Sequence, residues 1–275
     1  LKNRLRPLNS WDFPSINKYK LLILLYKIIY GFYAWMAFFL LRTKHLEHYK
    51  KQGGEMRKNQ IGFTLIEIAI VLVIIGLLLG GVLKGQELIQ NARVRNIIAQ
   101  QDGIKAAFFG FQDRYRGIPG DYLATSAAAN IPGAGATPCG GDGNSLIDTT
   151  AESICAWYHL SKSGFITGSY TGTGTSATTA NSPSNAFGGL MQLIFNGVYL
   201  DSATTPPSVH NIKTGINIPS VALAEVDRKI DDGSPITGQF RYSSWNVPSS
   251  AACVTSGNTW DVTGGQTVCG GVSLF

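Results

Sequence analysis

Apolar positions are distributed along this chain in three regimes. Two unbroken apolar runs come first, Leu21–Leu41 with Lys27 as its one charge, and Phe63–Leu83 with Glu67 as its one charge. Each is 21 residues long, which as a helix spans ~31 Å, about one hydrocarbon core. An amphipathic stretch follows, in which Val94, Ile97, Gln101, Ile104, Phe108, Phe111 and Tyr115 recur at steps of three and four. That spacing predicts one face of a helix, with Gln101 as its single polar interruption. Helix is expected without a break from about Phe63 to Arg114, ~78 Å, until Gly117-Ile-Pro-Gly120 stops it. Beyond it the chain reads as short segments in a Gly/Ser/Thr/Ala-rich background. Two short helices are expected at Glu152–Ser163 and Val221–Ile230, a strand at Ile236–Tyr242, and a low-complexity loop at Thr171–Gly189. The pattern implies an α+β fold. The expected architecture is a long N-terminal transmembrane-plus-stalk helix packed on a small antiparallel β-sheet domain.

Charge changes the picture only once it is located. The formal net of +6 looks like a polyanion binder, but residues 1–62 hold 12 basic and 3 acidic residues and the remainder is net negative. The basic excess therefore flanks apolar segments, and no nucleic-acid partner is indicated. Charged residues make up 15% of the chain and glycines number 32, a composition that disfavours a highly charged disordered chain.

The residues around Gly62 are the most informative. Met56-Arg-Lys-Asn-Gln-Ile-Gly62 precedes Phe63-Thr-Leu-Ile-Glu67 and then the apolar run. This resembles the leader and N-terminus of type IV prepilins and type II secretion pseudopilins, over roughly residues 56–116. The resemblance implies cleavage between Gly62 and Phe63 by a prepilin peptidase of the inner membrane, and N-methylation of Phe63. Arg57 and Lys58 would hold the leader on the cytoplasmic side. The apolar run follows the proposed cut, unlike that of a secretory signal peptide, so the mature chain keeps its membrane helix. An intramembrane carboxylate at Glu67 costs ~2.5–3.5 kcal/mol on insertion scales unless neutralised. The resemblance supplies a partner, the Phe63 α-amine of a neighbouring subunit; the plain alternative is an anchor whose Glu67 reaches the interface. Two later phrases, AWYHLSKSGFITGSYTG and VDRKIDDGSPITG, also look like segments of larger pilin-like proteins.

The domain organisation expected is therefore leader at 56–62, transmembrane helix at 63–83, helical stalk at 84–116 and globular domain at 117–275. Residues 1–55, with the apolar run at 21–41, are expected to be upstream sequence read through from a misplaced start, since basic clusters flank that run on both sides; the alternative is a real N-terminal extension with an extra membrane span. The implied location is the bacterial inner membrane, single-pass after processing, with a periplasmic globular domain that later enters a filament.

Candidate chemistry is sparse. Cys139, Cys155, Cys253 and Cys269 allow three disulfide connectivities. The sequence-local choice pairs Cys139 with Cys155 and Cys253 with Cys269. A zinc site would need tighter C-x₂₋₄-C spacing. Disulfides imply an oxidising compartment. Asp142, Asn144, Asp148 and Glu152 are candidate calcium ligands in a Gly-rich turn, although the calcium-loop pattern fails at Leu146 and Ser153 and a solvated loop reads better. His159, beside Trp157 and Tyr158, reads as structural. No nucleophile elbow, P-loop or H-E-x-x-H occurs, and the chain is expected not to be an enzyme. The function implied is a structural subunit of a type IV pilus or type II secretion pseudopilus, with other subunits and an inner-membrane assembly platform as partners. The alternative is a membrane-anchored surface adhesin or binding module on a pilin-type anchor.

Overall fold

The structure, a computed structural model, describes residues 65–135, 139–246, 252–263 and 265–275. Gly62, Phe63, the leader and residues 1–55 lie outside the described residues. The chain divides into two units, Leu1–Ile70 and Val71–Phe275. Of the first, the described part is the opening of helix α1 (Leu65–Tyr115, 51 residues), with Glu67 in its first turn.

Through the second unit α1 changes character along its length. From Val71 to Ile89 its large apolar side chains are exposed, among them Leu72, Leu77, Leu83 and Leu88. A row of aliphatic residues at every angular position makes helix but no soluble face, so it needs lipid or other chains around it. Among the described residues α1 is the one helix long and apolar enough to cross a membrane. From Val94 onward one stripe is buried: Val94, Ile97, Gln101, Ile104, Phe108 and Phe111, with Tyr115 half-buried. This is the face expected from the three-four spacing. The helix ends where Arg116 enters the left-handed region at φ 55°, its N–H donating to the Gln112 carbonyl at 2.9 Å.

Three short helices and a sheet pack on that stripe. Helix α2 (Ala124–Asn130) contributes Ala127. Helix α3 (Thr150–Lys162) starts two residues earlier than expected because Thr149 and Glu152 form a capping box. That places Glu152 at the third helical position and not at the start. Gly164, at φ 81°, follows it. A reversal there needs positive φ, which costs a glycine little. Helix α4 (Ser220–Ile230) turns Leu223 and Val226 inward.

The strands β1 (Gln192–Asn196), β2 (Val209–Lys213), β3 (Phe240–Tyr242) and β4 (Gly271–Leu274) form one antiparallel sheet in the order β1-β2-β4-β3. Leu193, Ile212, Ser273 and Phe240 lie opposite one another across the four strands. Gln192, Lys213, Val272 and Arg241 form the adjacent row, which alternation puts on the other face. The expected strand at Ile236–Tyr242 is shorter than predicted. Asp232 accepts from Ser234 N at 2.8 Å and from Thr237 Oγ1 at 2.5 Å, so its carboxylate bends residues 232–237 into a turn.

Two apolar clusters form the core. One joins Ile104, Phe108 and Phe111 to Trp157, Leu160, Leu193 and Ile212. The other joins Val94 and Ile97 to Leu223, Val226, Phe240, Tyr242, Trp260, Cys253 and Cys269. Gln101 sits on α1 between the two stretches. The low-complexity segment is better anchored than its composition suggests. Asn185 is buried, donating to the Thr214 and Ile216 carbonyls and accepting from Phe187 N and Gly189 N.

Candidate functional site

Of the residues singled out for processing and assembly, Glu67 is the one within the described part. It lies on exposed α1 surface within the first turn of the helix. The remaining candidates fall in the globular region, where carboxylates, cysteines and a histidine gather at the end of α1 and the start of α3.

The disulfides are Cys139–Cys155 and Cys253–Cys269, each closing a 16-residue separation with Cα atoms 5.8 Å apart. Cys155 lies on α3 one turn before His159, which is fully buried. Gly120 N–H donates to His159 Nδ1 at 3.0 Å, so the ring proton sits on Nε2. That nitrogen is 3.1 Å from the Cys139 carbonyl oxygen and 3.4 Å from Cys155 Sγ. Burial pushes the imidazole pKa down to about 4. Gly120 is required here: it sits at φ 96°, and a Cβ would fall 2.4 Å from the Glu152 carbonyl oxygen. His159 is thus a neutral brace joining the end of α1, α3 and the Cys139 segment. The convergence of Cys139, Cys155 and His159 does not fit a metal, because the sulfurs are bonded to each other and the unprotonated ring nitrogen faces Gly120.

The four candidate calcium ligands are arranged as turn and cap acceptors. Glu152 Oε2 accepts from Asp148 N at 3.0 Å and Thr149 N at 3.1 Å, and burial raises its pKa. Asn144 Nδ2 donates to Asp142 Oδ2 at 3.2 Å and to Asp148 Oδ2 at 3.3 Å. Asp121, which sequence reading passed over, organises this loop. Its two oxygens accept from Gly143 N at 2.7 Å and Ser145 N at 2.6 Å. The carboxylates brought within 4.8 Å of one another are those of Asp121, Asp142 and Glu152. Asp121 carries no local signal, since its partners lie more than twenty residues away.

A second carboxylate group sits at the end of α4. Asp227 is fully buried and accepts from Trp260 Nε1 at 2.6 Å and Gly233 N at 3.1 Å. Burial, with Asp232 and Asp231 nearby, pushes its pKa up to about 6. Asp231 and Asp232 accept from backbone and hydroxyl donors of the turn that follows, as a helix-ending turn requires. In the polar row of the sheet, Lys213 is fully buried with Nζ donating to the Val198 carbonyl at 2.8 Å. Desolvation pulls its pKa down to about 7. Arg241 pairs with Asp201 beside it.

None of these groups forms a nucleophile–base pair opening into a cavity. They tie loops to helices. The distinctive signal of the chain is therefore the stretch that includes the apolar opening of α1. No curated protein and no solved structure matches the chain. The motif implies processing by a prepilin peptidase and assembly with other pilin subunits, and it fits membrane anchoring through α1. Residues 57–83 match the prokaryotic N-terminal methylation motif, so the chain carries the type IV pilin and pseudopilin signature.

Proposed function

We propose that the chain is a non-enzymatic filament subunit of the type IV pilus or type II secretion pseudopilus class. It is cut between Gly62 and Phe63, N-methylated on Phe63 and held in the bacterial inner membrane by the first half of α1. The domain that follows is periplasmic, and an inner-membrane platform lifts the subunit into the filament. The observation that carries this reading is the methylation motif at 57–83 leading into a helix whose apolar side chains from Ile66 to Ile89 are exposed. Lipid covers such a surface before assembly, and parallel copies of the same helix cover it afterwards. Glu67 then meets the Phe63 amine of a neighbouring copy, which removes the cost of an intramembrane carboxylate and favours one axial offset.

Intact mass after co-expression with a prepilin peptidase tests the first half. The expected product begins at Phe63 and carries one methyl group; a chain that retains Arg57 and Lys58 overturns the reading. Cysteine crosslinking between adjacent helices tests the second. Glu67→Val should remain inserted and disulfide-bonded but assemble poorly. Assembly equal to that of the parent chain refutes the charge pair.

A further inference from the structure

The two disulfides have different surroundings. Cys253 and Cys269 are both fully buried inside an apolar cluster with Phe240, Tyr242 and Trp260. Cys139 is half-buried while its partner Cys155 is fully buried. Beside Cys155 lies a fixed donor, His159 Nε2–H, 3.4 Å from the sulfur and held in that tautomer by Gly120. The Gly172 backbone packs against one side of Cys139 Sγ, where a Cβ would fall 2.4 Å from the sulfur, so the exposure that Cys139 keeps lies away from that segment.

Thiol–disulfide exchange is governed by access to the attacked sulfur and by the stability of the leaving thiolate. Both favour one direction of attack. An external thiolate reaches Cys139 Sγ, forms a new S–S bond there and breaks the bond to Cys155. The electron pair stays on Cys155 as a thiolate, 3.4 Å from His159 Nε2, whose N–H is shared with the Cys139 carbonyl oxygen at 3.1 Å. A second thiolate of the same reductant then attacks its own sulfur in the mixed disulfide. It releases Cys139 as a thiolate and leaves the reductant as a disulfide. Two electrons pass from the dithiol to the cystine, and solvent supplies the protons if the thiolates are neutralised.

We propose that Cys139–Cys155 is a thiol–disulfide exchange site for an external dithiol, with Cys139 the attacked sulfur, Cys155 the leaving thiol and His159 the donor to the leaving thiolate. Cys253–Cys269 is the structural disulfide. Opening the first pair frees the Cys139 segment from α3. That segment leads into the turn held by Asp121 and Glu152, so a surface loop is released while the second cluster keeps its crosslink.

The test uses the full chain in detergent, exposed to dithiothreitol for graded times, then alkylated and digested for mass spectrometry. Cys139 and Cys155 should take the alkyl label at least about tenfold faster than Cys253 and Cys269. Under oxidised and reduced glutathione mixtures, the mixed disulfide should form on Cys139 and not on Cys155. His159→Phe keeps a ring on Phe111, against which His159 stacks at 5.9 Å, but removes the donor. It should slow opening of Cys139–Cys155 by about tenfold and leave the other pair unchanged. Equal opening rates, earlier opening of Cys253–Cys269, glutathione on Cys155, or no slowing in a folded His159→Phe chain each overturn the proposal. If His159→Phe unfolds, both pairs open fast, and the order of opening and the glutathione position in the parent chain decide the matter.

Discussion

Replacing Gln101 by methionine should make the chain more stable. Gln101 is 1% exposed, and neither its Nε2 nor its Oε1 has a hydrogen-bond partner. It stands on α1 between Ile97, which packs with α4 and β3, and Ile104, which packs with α3 and β1. Leaving a buried polar group unpaired costs about 1–3 kcal/mol. Methionine has nearly the same length, carries no group that needs a partner, and adapts to irregular space. The expected gain is about 1–3 kcal/mol, and for a domain of this size about 2–4 °C in Tm per kcal/mol. Thermal melts followed by tryptophan fluorescence on the detergent-solubilised chain read this directly, with disulfides kept intact. Gln101→Glu is the matched control. It places a carboxylate in the same apolar setting and should lower Tm by several degrees. A Gln101→Met chain that melts at or below the parent temperature refutes the reasoning, because it would mean the amide has partners worth keeping.

Other outcomes follow from the buried charges and caps. The Asp227 carboxyl is held at about pH 6 in the folded chain against an ordinary 3.8. The stability this contributes is present at low pH and is lost as pH rises through about 6. Asp227→Asn keeps an acceptor for Trp260 without the charge, so its stability relative to the parent should be higher at about pH 7 than at about pH 4 in urea titrations. Lys213 titrates at about 7 when folded against an ordinary 10.5. The unfolded chain binds the extra proton in that window, so stability should climb from about pH 7 to pH 10, and Lys213→Met should flatten the climb in the same titration. Thr149→Ala removes one arm of the α3 capping box and should cost about 1 kcal/mol, read as a lower Tm with no change in either disulfide.

The α1 stripe was legible because a 3.6-residue period repeats over seven positions, and local periodicity needs no knowledge of what packs on it. The α3 start was missed by two residues because Glu152 looked like a loop ligand and acts as a cap. Strands β1 and β2 gave no alternating signal. Both faces of their sheet are covered, so Gln192, Asn211 and Lys213 are buried as polar residues where polar residues usually mark the solvent side. Asp121 with Gly143 and Ser145, and Asp227 with Trp260, are contacts across 22 to 33 residues. Nothing in the residues between them announces such a pairing. The start of β3 falls later than local preference suggests for a related reason: Ile236 and Thr237 favour strand, but Asp232 accepts from Ser234 N and Thr237 Oγ1 and holds them in a turn.

The order of the cysteines along the chain bears on how it crosses a membrane. Each bond joins a cysteine to the next one in sequence. With the leader held inside, a domain that emerges in sequence order behind its membrane helix presents Cys139, then Cys155, and only about a hundred residues later Cys253 and Cys269. Oxidation in order of emergence therefore yields the native pattern without a wrong pair being formed and undone. On the proposed export of the domain, formation of both disulfides should depend on an oxidase and be indifferent to loss of a disulfide isomerase.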